Sequence, residues 1–263
     1  MPLSLSAQEK LYDAHVHLSE GRTSYEEYRK QLDSTGQAVT RFGGILMAEK
    51  GKPEKTRRDN DALIDLAKVH PEIVPICSVH PSDGEAALKE LKRLKERGVK
   101  IIKLHPHTQN FDVQSEEAVK LCKTAGELGL FILMDNANIK PGDSENLFDL
   151  AVKCSRTRFV FAHLGGLNFR FWNIIPIART AKGFYSDNIY FDISATITLL
   201  AGSPLEEEFI WTIRNIGTDR ILLGSDFPQY TLKQAASALE KMKLTPEEKA
   251  RIRYRNAEKL FSL

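Results

Sequence analysis

Charge of one sign is what this chain most plainly lacks. Its 37 lysines and arginines stand against 35 aspartates and glutamates, a formal charge of +2. That balance gives no reason to expect a nucleic acid or a membrane surface as partner. Cysteine is scarce. Cys77, Cys122 and Cys154 are odd in number, far apart and form no C-x-x-C pair. A disulfide framework is thereby excluded, and buried thiols in a reducing cytoplasm are expected. No apolar run approaches the ~20 residues that span a bilayer. The opening stretch MPLSLSAQEK has no basic start and no long apolar run before Glu9 and Lys10, so a secretory signal is not expected. The basic cluster KGKPEKTRR (50–58) reads as a solvated loop. A Pro/Gly/Ser-rich linker is missing too, as is a G-x-G-x-x-G after the first apolar run. The first absence argues for a single domain over 1–263, the second against an open dinucleotide-binding sheet.

What the chain does have is a repeat. Runs rich in apolar and β-branched residues recur at intervals of roughly 30 residues, the length of one strand, one helix and two loops. They are KLYDAHV, GGILMA, IVPICSV, VKIIKL, LFILMD, RFVFAH, IYFDIS and RILLGSD. Several are continuously apolar, as parallel strands covered by helices are. Between them PSDGEAALKELKRLKERG places Leu88, Leu91 and Leu94 on one helical face, with a Ser82–Glu85 capping box and a closing Gly98. SEEAVKLCKTAGELG behaves alike, and LTPEEKARIRYRNAEKLFSL opens on Thr245, Pro246 and Glu248, a second capping box. Eight strands alternating with helices predict an α/β chain folded as one (β/α)8 TIM barrel.

Active sites of such barrels lie at the C-terminal ends of the strands, and polar residues collect there. His15 and His17 close the first run, with Val16 between them turned the other way. His80 follows the third run. Lys103, His105 and His107 end the fourth, Asp135 and Asn136 the fifth, His163 the sixth, and Asp226 the eighth, while Asp192 lies within the seventh. Six of the seven histidines thus gather at one rim, leaving His70 as the bystander. Neutral imidazoles and a carboxylate are what zinc and similar divalent ions take in catalytic sites. Barrel closure makes the eighth strand a neighbour of the first, so Asp226 can join His15 and His17 on one ion.

The ordered set DAHVHL, KIIKLHPH, FAHLGG, LLGSDFP and NAEKLFSL resembles the amidohydrolase superfamily, and within it the amidohydrolase 2 group of metal-dependent hydrolases and decarboxylases. The resemblance runs from the first strand to the last helix. It implies a barrel holding one or two divalent ions, usually zinc, and a metal-activated water that attacks an ester, lactone or amide; some relatives decarboxylate or hydrate acids instead. By position, His15 and His17 match the strand-one ligands, His163 the strand-six histidine and Asp226 the strand-eight aspartate. Where the group ends strand five with histidine, ILMDNAN places Asp135, a carboxylate that can still ligate. The strand-four lysine of two-metal relatives is carbamylated; Lys103 stands at that place, either so modified or as an ammonium paired with a rim carboxylate or an anionic substrate.

The expectation is a metal-dependent hydrolase of a small carboxylated molecule. His15, His17, Asp135 and Asp226 hold the ion, Asp226 and His163 serve as acid/base groups, and Lys103, His105 and Arg170 contact substrate. Arg170 sits in NFRFWN, whose aromatics either line a pocket or pack the loop down. Asp192 reads as a buried hydrogen-bonding residue, and His107 as either a substrate-facing or a solvated loop residue. Two alternatives differ in class: a decarboxylase on the same scaffold, and a barrel whose metal site has faded with the strand-five histidine. A homo-oligomer is left open.

Overall fold

The computed structural model describes residues 10–262; the reading of the opening residues as lacking a secretory signal falls outside them. Each of the eight apolar runs forms a strand: β1 (Tyr12–His17), β2 (Arg41–Ile45), β3 (Ile73–Ser78), β4 (Ile101–Leu104), β5 (Phe131–Met134), β6 (Arg158–Phe161), β7 (Ile189–Asp192) and β8 (Ile221–Leu222). They lie in sequence order in one sheet, every neighbouring pair parallel. The chain beyond β8 closes the ring. Ala14 N–H donates to Leu223 O (2.9 Å), Asp226 N–H to His15 O (2.9 Å) and His17 N–H to Phe227 O (2.9 Å). The fold is a (β/α)8 barrel, and no helix of the described residues is long and apolar enough to cross a membrane.

Two apolar clusters follow from this architecture. The larger lies between strands and outer helices and takes in Val16, Phe42, Ile102 and Phe161. The smaller fills the barrel interior with Tyr12, Ala14, Ile76, Ile101, Phe131 and Leu133, packed against Tyr254, Ala257, Leu260 and Phe261 of the C-terminal segment. The Tyr12 ring sits 5.5 Å from that of Phe261 and 6.4 Å from that of Tyr254. The C-terminal segment thus stoppers the end at which the strands begin, and the opposite mouth is left for chemistry.

The β1–β2 register shifts between Asp13 and Val16. Tyr12 and Ala14 point inward, yet Val16 belongs to the outer cluster. Strict alternation would put Val16 inside with Tyr12 and Ala14. The irregularity reverses the parity and turns His15 and His17 inward instead.

The capping expectations divide. Ser115 accepts from Ala118 N–H (3.2 Å), and Thr245 and Glu248 form their reciprocal box. The Ser82–Glu85 box does not form. The helix Glu85–Glu96 starts after Gly84 with no side-chain cap, because the Pro81–Asp83 turn intervenes and Ser82 N–H donates to His80 Nδ1 (3.1 Å). The last helical run is also interrupted, by a π-turn at Arg251–Arg255.

Candidate active site

Three donor atoms meet at the mouth of the barrel. His15 Nε2 and His17 Nε2 are 3.2 Å apart, and Asp226 Oδ1 lies 3.5 Å from the first and 3.4 Å from the second. An ion bound tetrahedrally at 2.0–2.1 Å holds its ligands about 3.3–3.4 Å from one another. The triangle therefore has the dimensions of a divalent-ion face, and two imidazoles with one carboxylate have the chemistry for it. His163 lies close by: His15, His163 and Asp226 offer ligand atoms all within 4.8 Å of one another.

His15 is fully buried, and its ring is fixed from behind. Its Nδ1–H donates to Asp192 Oδ2 (3.0 Å), which leaves the Nε2 lone pair facing the triangle. Asp192 Oδ1 accepts from Ser194 N–H (3.0 Å), from the Ser194 hydroxyl and from His163 N–H (3.3 Å). Burial alone would raise the Asp192 pKa, but His15, His163 and Ser194 more than offset it and hold the carboxyl well below its ordinary range. Burial, with Lys103 beside it, pushes His15 down to about 4, so its imidazole is neutral near pH 7. Gly224 permits the approach of these two strands: a Cβ there would lie 2.9 Å from His15 Cβ and 3.0 Å from Ser194 Cβ. Asp13 anchors the irregular turn of β1. It accepts from Ser225 N–H (2.7 Å), Tyr28 Oη (2.9 Å) and His15 N–H (3.3 Å), and burial raises its pKa to about 6.

His163 follows β6 in a left-handed run, with φ of 61° at His163 and 46° at Leu164 before Gly165 and Gly166. Asp226 is left-handed as well, at φ 65°. Such conformations cost non-glycine residues on the order of 1–3 kcal/mol and concentrate at working sites. Asn136 supports the run, with its amide oxygen toward Trp172 Nε1 (3.1 Å) and Gly165 N–H (3.2 Å). The ring of His163 is held on both sides: Nε2 is 3.2 Å from Asp135 Oδ1 and Nδ1 is 3.1 Å from Ser194 O. Both nitrogens face acceptors, which is the environment of an imidazolium. Burial opposes the charge, but the bond to Asp135 and the fields of Asp192, Asp135 and Asp226 prevail and raise the pKa to about 9.

The structure sorts the expected residues. It brings His15, His17, His163 and Asp226 together. It places Asp135 against His163 and, at 3.6 Å, His105, outside the triangle. Burial holds His105 down at about 4. Lys103 is buried with Nζ 3.3 Å from His15 Nε2, so its described partner is an imidazole rather than a rim carboxylate. Burial outweighs the attraction of Asp135, Asp192 and Asp226 and lowers the Lys103 pKa, and an amine pushed toward neutrality repels a neighbouring cation less. Arg170, expected at the substrate, is instead clamped by Glu208 through two 2.6 Å bonds on the exposed side of the helix Glu206–Ile216. Phe169 and Trp172 are core residues, so the aromatics of this loop pack it down. His80 donates through Nε2 to Gln109 O (2.7 Å) and braces the segment after β4. His107 pairs with Asp143 (2.9 Å). Reading the sequence missed Asp13, Ser194 and Gly224. The aspartate in DAHVH was the available signal, a charged residue inside an otherwise apolar strand.

A closed eight-stranded barrel with imidazoles and carboxylates converging at its mouth defines a class of enzyme scaffold. A family model of the amidohydrolases (Amidohydro_2) matches residues 12–263, and the chain belongs to that family. Gamma-resorcylate decarboxylase from Polaromonas sp. strain JS666 is 27% identical over 130 residues, which are 44% of this chain and 37% of that enzyme. Two solved structures share the fold. The 5-carboxyvanillate decarboxylase of Sphingomonas paucimobilis superposes with a TM-score of 0.74 at 13% identity, covering 97% of this chain and 100% of that one. The dihydroxybenzoic acid decarboxylase of Polaromonas sp. JS666, with bound manganese and the inhibitor 2-nitroresorcinol, gives 0.68 at 18% identity, covering 97% of each.

Proposed function

We propose that this protein is a metal-dependent decarboxylase of a small hydroxylated carboxylic acid. The observation that carries the reading is the environment of His163. Loss of carbon dioxide breaks a carbon–carboxylate bond, leaves the electron pair on carbon and needs one proton delivered there. His163, its two nitrogens facing Asp135 and Ser194 O, is a proton donor beside the triangle, and Asp135 keeps it charged. His15, His17 and Asp226 hold a divalent ion, zinc or manganese, which when bound polarises the substrate's oxygens. Asp135 then serves His163 instead of the ion. The spacing of the triangle, with its three donors at ion-ligand separations, supports a working site over a faded one. The decarboxylases that share this fold, one of them holding manganese, support the same choice.

A hydrolase remains the second reading, favoured by one observation. Asp226 is held ionised, its tendency to be raised by burial overcome by His17, His15 and His163, and a carboxylate in that place can take a proton from water. Product analysis separates the two. Manganese-loaded protein incubated with a panel of hydroxybenzoates is expected to release carbon dioxide in equal amount to the acid consumed. His163→Gln should lower that rate by about 100-fold or more while retaining its metal. Turnover of lactones or esters, with no carbon dioxide from any acid, would overturn the assignment.

A further inference from the structure

Beside the mouth of the barrel lies a cavity of about 500 Å³, between the segments that follow β4 and β5 and with Asp135 in its wall. Asp135 belongs both to this cavity and to the site, its Oδ1 3.2 Å from His163 Nε2, which puts the cavity next to any molecule that reacts beside His163. Phe111, Val113, Ile139 and Leu147 give the cavity apolar faces that suit a flat ring. Its charges are lopsided. Asp112, Asp135 and Asp143 line it, against Lys140 and the imidazole of His107, and no arginine among the described residues reaches it. Asp135 is answered by His163, but Asp112 and Asp143 together face the single ammonium.

The acidic wall is held in place by its own chain. Asp143 Oδ2 accepts from His107 Nε2 (2.9 Å) and from Lys140 N–H (3.0 Å), and Asp112 Oδ1 from Gln114 N–H (2.8 Å). Each carboxylate keeps acceptor capacity to spare. We propose that this cavity selects the distal part of the substrate, taking hydroxyl groups that donate to Asp143 and Asp112 and rejecting a second carboxylate. The inference rests on the decarboxylase reading for the position of the ring and adds to it the chemistry of the ring's far side. A hydroxyl entering here gains a charge-assisted hydrogen bond. A carboxylate loses water and meets like charge with no guanidinium to receive it, a repulsive element of the kind that creates specificity.

The test uses two ligands that differ at one substituent. 2,4-Dihydroxybenzoate and 2-hydroxyterephthalate share the reacting carboxylate and its neighbouring hydroxyl and carry, at position 4, a hydroxyl or a carboxylate. Calorimetric titration of each into the manganese-loaded protein near neutral pH is expected to give a Kd at least tenfold lower for the dihydroxy acid. Asp112→Asn combined with Asp143→Asn preserves the bonds to Gln114 and Lys140 through the amide oxygens, and should shrink that ratio to threefold or less. Equal or tighter binding of the terephthalate, or a ratio that the double variant leaves unchanged, overturns the inference. Carbon dioxide release from the dihydroxy acid reads the underlying reaction separately: a preserved binding ratio without release keeps the cavity assignment and removes the decarboxylase reading. Failure of both ligands to bind removes both.

Discussion

Asp192→Asn is the perturbation that most directly probes how this barrel prepares an ion site. Oδ1 of Asp192 collects donors from Ser194 and from the His163 backbone, and Oδ2 takes the proton on His15 Nδ1. An asparagine keeps its oxygen where Oδ1 was, because three donors point there. Its NH2 then falls opposite His15 Nδ1, donor against donor. The conflict resolves when His15 changes tautomer, accepting at Nδ1 and carrying its proton on Nε2. That nitrogen is the one turned toward His17 and Asp226. The ring stays in place and its lone pair is lost to the metal.

The magnitudes separate the two consequences. Exchanging charged for neutral hydrogen bonds costs about 1–2 kcal/mol of stability, or roughly 2–8 °C in Tm for a chain of this size. Removing the group that orients a metal-binding histidine weakens metal binding by about 10–100-fold. Competition with a chromogenic chelator reads the affinity for manganese, and nitrogen-15 histidine spectra of the metal-free protein read the tautomer without reference to activity. Unchanged affinity, or a His15 that still carries its proton on Nδ1, would refute the reasoning and leave Asp192 as a structural bond alone.

Three further outcomes follow from the same geometry. His163 has its pKa raised from 6.5 to about 9, so its contribution to stability is fully present below about pH 6.5 and is lost as pH rises through 9. Thermal scans of the metal-free protein should show Tm falling over that window, with the fall reduced in His163→Gln. Gly224→Ala forces a methyl to within 2.9 Å of His15 Cβ and 3.0 Å of Ser194 Cβ; it should cost about 1–3 kcal/mol by denaturant unfolding and weaken manganese binding, and wild-type values in both would show that the strands can part freely. Arg170→Ala removes only an exposed pair with Glu208, and is expected to leave kcat/KM within about twofold and stability within about 1 kcal/mol.

What could be read from the amino-acid order, and what could not, divides along the range of the interactions involved. The strands were legible because β5 (FILM) is buried throughout and apolar at every position, while β4 (IIKL) and β6 (RFVF) depart from that only at Lys103 and Arg158. Their ends were legible because a barrel gathers whatever follows them at one mouth. The departures arise where a distant residue competes for the same atom. Ser82 had the right spacing to cap a helix, but the imidazole of His80 is nearer its N–H. Arg170 had the right chemistry for an anionic substrate, but Glu208, 38 positions away, is the carboxylate it meets. Asp135 stands where an ion ligand was expected, and the partners it meets there are His163 at 3.2 Å and His105 at 3.6 Å. The deepest of these is in β1. Alternation correctly put His15 and His17 on one face, and it could not say which face, because the register shift after Asp13 reverses the parity that Tyr12 and Ala14 set. What settles the matter is Asp13 itself, bonded to Tyr28 on the outer helix Arg22–Thr35 and to Ser225 beyond β8. A carboxylate 13 residues into the chain thereby decides that the imidazoles two and four positions later look into the barrel rather than out of it.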